Sequence, residues 1–117
     1  MTLAAGAFPA HAEGDPARGE RIFTCIGCHT VASDRSRIGP SLQGIVGRRA
    51  ATRPGYIYSA ALKEAGEKGL VWTEANLADF IRAPSDTVPG TKMYYPPIKD
   101  DQKIADIIAY LKSDHKP

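Results

Sequence analysis

The chain has 117 residues, enough for one domain with a modest core. Fifteen Lys and Arg against 13 Asp and Glu give a formal charge of +2, which is too mild to argue for nucleic acid, and no basic run alternates with aromatics. No stretch approaches the roughly eighteen consecutive apolar residues that a membrane span needs.

Residues 1–12 differ from the rest. They are small and apolar and end in Ala10-His11-Ala12, the A-x-A form of a signal-peptidase site, with cleavage expected before Glu13. No basic region precedes them, so they read as the tail of a secretory signal, with a disordered extension as the alternative. The domain proper is expected over 13–117. Asp15-Pro16 then starts a helix to about Thr24, because Asp caps and Pro suits the first helical position. Gly19 and Phe23 are four apart and share a face. A glycine inside a helix costs about 1 kcal/mol relative to alanine, so Gly19 reads as a close helix–helix crossing.

The run Cys25-Ile26-Gly27-Cys28-His29 holds both cysteines of the chain. C-x-x-C-H is the spacing of c-type haem attachment. Two thiols three positions apart reach the two vinyl groups on one porphyrin edge, and His29 is carried under the ring to ligate iron. A thioredoxin-like dithiol would sit at a strand-to-helix junction of an α/β chain. A structural zinc site needs four ligands, usually two such pairs, and there is one pair. Thioethers would consume both thiols and put the chain outside the cytoplasm.

A polar loop follows, Ser33 to Arg37, then Gly39-Pro40-Ser41-Leu42. A ligating imidazole usually needs an acceptor for its other N–H. The Pro40 carbonyl is the candidate, although Gly-Pro is locally a turn. Between 34 and 53, Arg35, Arg37, Arg48, Arg49 and Arg53 face Asp34 alone. Such a patch steers an acidic partner or is partly structural, with one arginine neutralising haem propionates.

Ser59 caps a short helix to Ala65, stopped by Gly66. Thr73 caps another over Glu74–Arg82, with Leu77, Phe80 and Ile81 inward, ended by Pro84. Tyr56, Tyr58 and the lone Trp72 are aromatic core or donors to propionates; both readings stay open. The second axial ligand follows by elimination. The other histidines, His11 and His115, lie near the ends; the methionines are Met1 and Met93. Met93, in the Pro/Gly-bearing loop 88–93, is the one thioether far enough along the chain to fold over the opposite face. His/Met iron is high-potential, has no open position and suits electron transfer. The last helix starts near Asp100 or Asp101 and ends about Ser113, with Ile104, Ile107, Ile108 and Leu111 on the 3.6 period. Tyr110 and Leu111 would lie against Gly19 and Phe23. The chain reads as all-α, with four to five short helices.

Together these residues resemble the class I cytochromes c, from about Gly14 to Lys112. The combination C-I-G-C-H, G-P-S-L-Q-G-I-V-G-R, P-G-Y-I-Y, V-W-T, P-G-T-K-M and A-Y-L-K carries the likeness. The resemblance implies the cytochrome c fold around one covalent haem c, with the terminal helices crossing. It implies Cys25 and Cys28 as thioether sites, His29 and Met93 as axial ligands, and Pro40 as acceptor for His29. Arg48, Tyr58 and Trp72 match residues that bond or neutralise propionates, and Thr91 a hydroxyl beside the methionine and a propionate. Phe80 stands where the family often has tyrosine and Leu62 where it often has asparagine, so two polar groups are lost. The ring of docking lysines is thin, with Thr24 before Cys25; Lys92, Lys99 and Lys103 remain. The implied function is that of a soluble one-electron carrier, not an enzyme: a periplasmic monomer that meets redox proteins transiently at the exposed haem edge. The alternatives are a haem domain cut from a larger redox complex, or a ligand-binding sensor or peroxidase if Met93 does not ligate.

Overall fold

The structure, a computed structural model, describes residues 14–93 and 97–113. The leader-like residues 1–12, with Met1 and His11, lie outside the described residues, as do Tyr94, Tyr95, Pro96 and His115. Five α-helices and one 3₁₀ turn make up the described chain, and no strand is formed there beyond a single antiparallel bridge between Arg49 and Val71. The all-α expectation holds.

Helix α1 spans Pro16–Ile22. Asp15 caps it by accepting from the Ala17 amide at 3.0 Å, and Pro16 fills the first turn. It ends two residues earlier than predicted. Phe23 leaves helical dihedrals to turn its ring inward, and Thr24–Gly27 tightens into a 3₁₀ turn. Helix α2 spans Ala60–Glu67, capped by Ser59. Gly66 does not stop it, contrary to the expectation from sequence. It is buried inside the helix, where a Cβ would stand 2.3 Å from the Ala50 carbonyl oxygen. The stop is Gly69, at φ 103°, a left-handed value that costs glycine no Cβ clash.

Helix α3 spans Glu74–Arg82, capped by Thr73. Pro84 both ends α3 and opens α4, Pro84–Thr87, a single turn that the sequence reading did not separate. Helix α5 spans Asp101–Lys112, with Asp100 accepting from the Lys103 amide at 2.9 Å. Ile104, Ile107, Ile108 and Leu111 are all buried, as their period requires. Two exposed ion pairs join α3 to α5, Arg82 to Asp101 at 2.7 Å and Glu74 to Lys112 at 3.0 Å. Each adds well under about 1 kcal/mol, so they set register more than stability.

Among the described glycines, the closest backbone approaches are to α5, from α1 and the residue before its cap. A Cβ on Gly19 would lie 2.0 Å from the Asp106 carbonyl oxygen, and one on Gly14 1.9 Å from that of Ala105. The two backbones touch because these positions have no side chain. Phe23 completes the crossing, its ring 5.3 Å from that of Tyr110. A buried carboxylate lies beside it. Asp106 is 3% exposed, accepts from Arg18 Nε at 3.0 Å, from Gln102 Nε2 at 2.9 Å and from the Asp15 amide at 2.8 Å. Arg18 first, with the amide and Gln102 adding to it, overcomes burial and holds this carboxyl down to about 2.

Two outcomes follow. Gly19→Ala forces α1 off α5 and is expected to cost about 1–3 kcal/mol, read as a lower midpoint in guanidinium unfolding; an unchanged midpoint would mean that the backbones do not meet. Asp106 titrates lower folded than its ordinary 3.8. Its contribution is therefore present above about pH 4 and is lost as pH falls toward 2. Asp106→Asn should flatten the acid limb of stability against pH over that window, and a limb as steep as the wild type's would assign acid sensitivity elsewhere.

Candidate haem-binding site

The 3₁₀ turn delivers the C-x-x-C-H residues. The amides of Cys28 and His29 both donate to the Cys25 carbonyl at 3.0 Å, so the backbone doubles back and presents both thiols within one turn. Cys25 is half-buried against the core and Cys28 is exposed, and no disulfide joins them. Burial pushes the Cys25 thiol up.

His29 is 6% exposed. Its Nδ1 stands 2.7 Å from the Pro40 carbonyl oxygen. A carbonyl only accepts, so Nδ1 carries the hydrogen, and in the neutral ring Nε2 keeps its lone pair. Burial pushes the imidazole pKa down, against an upward pull from the Pro40 bond, and this favours the neutral form. The ring rests on Gly39, where a Cβ would lie 2.3 Å from His29 Cε1. The Gly39 amide in turn donates to the Cys28 carbonyl at 2.9 Å.

The loop that carries Pro40 has no strand partner and is held by hydroxyls. Ser41, fully buried, donates to the Ser33 carbonyl at 2.5 Å and accepts from the Gln43 amide at 3.2 Å. Thr30 Oγ1 lies 2.7 Å from the Arg35 carbonyl, and the Leu42 amide donates to the Thr30 carbonyl at 2.8 Å. On the far side of the sequence, Thr91 is 9% exposed and accepts the Met93 amide at 3.2 Å. Met93 is half-buried against the core.

Of the remaining predicted residues, Arg48 and Trp72 are joined through their backbones. The Trp72 amide donates to the Arg48 carbonyl at 2.8 Å, and the Gly47 amide to the Trp72 carbonyl at 2.7 Å. The indole is buried and stands edge-on to Phe80, centroids 5.2 Å apart. Tyr58 accepts the Arg53 amide at 2.9 Å, which leaves its hydroxyl hydrogen for another acceptor. Tyr56 instead donates to the Ile38 carbonyl at 2.8 Å, so its phenol is tied to the loop. Arg48 donates to the Gln43 carbonyl at 3.0 Å, yet its Nε is buried with no partner among the described residues. Burial, then the charge of Arg53, pushes the Arg48 guanidinium down. Gly39 and Arg53 are the two residues here that the sequence reading did not assign to the site. A glycine under a ring and a glycine in a turn look alike before proline, and Arg53 stood out only as one of five arginines.

These features fit a haem c. An oriented imidazole and two cysteines lie within one turn, and the buried Arg48 Nε has no acceptor among the described residues. Half-buried apolar side chains, among them Leu42, Val46, Leu62 and Ile98, flank the core and suit a large apolar ring.

Comparison with known proteins agrees. The family model for cytochrome c matches residues 16–114. The chain is 49% identical over 102 residues to cytochrome c2 of Rhodopila globiformis, covering 86% of this chain and 93% of that one. It is 42% identical over 114 residues to cytochrome c2 of Blastochloris viridis, covering 96% and 87%. Among solved structures it is similar to cytochrome cH from Methylobacterium extorquens, with TM-score 0.77 and 44% identity, covering 85% of this chain and 98% of that one.

Gly39→Ala tests the seat of the imidazole. The added methyl displaces the ring and breaks the Nδ1 bond to Pro40, so the purified protein should carry less haem per chain and melt at a lower temperature. Full haem content with an unchanged melting temperature would place the ring away from Gly39.

Proposed function

Since this chain belongs to the cytochrome c family, we propose that it is a soluble shuttle of single electrons between redox proteins of the periplasm, with His29 and Met93 as axial ligands. It is a c-type haem electron carrier and not an enzyme, and its one haem c is covalent, with Cys25 and Cys28 in the C-x-x-C-H arrangement. When bound, the haem supplies an iron that takes up and releases one electron, at a potential raised by His/Met ligation. The observation that supports His29 as a ligand is its Nδ1 contact with the Pro40 carbonyl; Met93 rests on the resemblance and on its place in the loop 88–93.

The chain's own residues do the rest. Pro40 fixes the tautomer of His29 and raises its basicity toward a metal. Thr91 Oγ1 accepts the Met93 amide, just past the left-handed turn at Gly90 (φ 85°). Arg48, Tyr58, Trp72 and Thr91 supply charge and hydrogen bonds to the propionate carboxylates. Phe80 and Leu62 take away two polar groups that the family often has, so the potential is tuned by fewer hydrogen bonds here. The exposed Cys28 marks the edge where electrons enter and leave. Lys92, Lys99 and Lys103 are exposed and give that face a modest positive charge. Docking is weak, over a patch at the low end of interface sizes, and the carrier works as a monomer.

Two measurements test this. The oxidised protein should show the weak far-red thioether-to-ferric band, and carbon monoxide should leave the reduced spectrum unchanged. A carbon monoxide shift would remove Met93 from the iron and favour a ligand-binding role. Electron exchange with an acidic redox protein should slow as salt rises; a rate independent of salt would rule out charge steering.

A further inference from the structure

Arg53 shares an oxygen with Arg48. Both guanidinium groups donate to the Gln43 carbonyl, Arg48 Nη1 from 3.0 Å and Arg53 Nη2 from 2.5 Å. Arg48 Nη2 also lies 3.5 Å from the Ser41 carbonyl. Two permanent cations are thus held side by side on one loop. Neither forms an ion pair with a carboxylate among the described residues. In each, Nε is buried without a hydrogen-bond partner among those residues. These are the only two buried side-chain polar atoms in that condition among the described residues. Like charges repel, and a buried donor without an acceptor is costly. The same atoms become favourable together when an anion sits against both, because a guanidinium fork matches a carboxylate. Arg53 is also held in place from behind, its amide donating to Tyr58 Oη at 2.9 Å.

We propose that Arg53 is a second propionate-binding arginine, and that Arg48 and Arg53 form a two-guanidinium clamp on one haem propionate, oriented by the Gln43 carbonyl and backed by Tyr58. It rests on the haem seating proposed above and adds to it a residue and a consequence. Two fixed cations hold the carboxylate ionised at every pH at which the protein works. The reduction potential is then insulated from pH, because a propionate that never protonates near neutrality adds no proton-coupled step. The clamp also places net positive charge near the iron, which favours the reduced form.

The test is a redox titration of holoprotein from pH 5 to pH 9, for wild type, Arg53→Gln, Arg48→Gln and the double variant. The far-red band is recorded in each sample. Wild type should have a potential nearly flat with pH. Arg53→Gln should have a lower potential at high pH, with the difference shrinking as pH falls and the carboxylate takes up a proton. Arg48→Gln should shift the potential with the same sign, and the double variant should depart from the sum of the two. Arg53→Lys, which keeps the charge but not the fork, should restore the high-pH potential in large part. If Arg53→Gln keeps the wild-type potential and profile while Arg48→Gln does not, Arg53 faces elsewhere and the clamp is overturned. Replacing chloride by phosphate at constant ionic strength separates a dissolved anion from a propionate. A wild-type potential that moves with phosphate would assign the pair to a solution anion and also overturn the proposal. Loss of the far-red band in the wild type would count against Met93, and the comparison at Arg53 would still be read from the potentials.

Discussion

The contact between His29 Nδ1 and the Pro40 carbonyl decides what the molecule can hold. An imidazole has one proton to give and one lone pair to offer when neutral, and the acceptor chosen for the first determines where the second points. Pro40 suits this because proline brings a carbonyl and no competing N–H. Gly39 suits it because nothing larger fits beneath the ring. The loop from Thr30 to Gln43 exists in its observed form to keep those two residues in place, and its serine and threonine hydroxyls stand where a sheet would have used backbone pairing.

A second constraint holds the frame around that loop. Helices α1 and α5 meet backbone to backbone at Gly14 and Gly19, a distance at which any side chain would clash. Close approach fixes where Phe23 enters the core, and Phe23 is the residue from which the 3₁₀ turn of the cysteines begins. The position of the thiols thus depends on a crossing at the opposite end of the sequence. Asp106 adds direction to that crossing, since its oxygens are shared by Arg18, the Asp15 amide and Gln102.

Much of this was legible in the residues. The C-x-x-C-H spacing, the Gly19 crossing, the Thr73 cap and the stripe of Ile104, Ile107, Ile108 and Leu111 depend on local rules that need no partner to be known. Where the sequence misled or fell silent, the cause was a distant neighbour. Gly66 looked like a helix stop, but Ala50 packs against it, and Gly69 takes the left-handed turn. Tyr56 and Tyr58 were equivalent as letters; one phenol is tied to Ile38 and the other receives the Arg53 amide. Arg53 had no signal beyond its charge, because what sets it apart is the carbonyl oxygen of Gln43, ten residues back, which it shares with Arg48.

The two halves of the scaffold are fastened by different chemistry. The frame of α1 and α5 includes an ionised carboxylate, whereas the bonds around Ser33, Ser41 and Pro40 are neutral throughout. Acidification therefore reaches the two by different routes. At the seam between α1 and α5 it removes a charge that Arg18, the Asp15 amide and Gln102 all hold. In the cradle the loop's own bonds carry no charge to lose, and the proton must instead be forced onto an imidazole that burial keeps neutral. One seam fails by losing a charge and the other by gaining one.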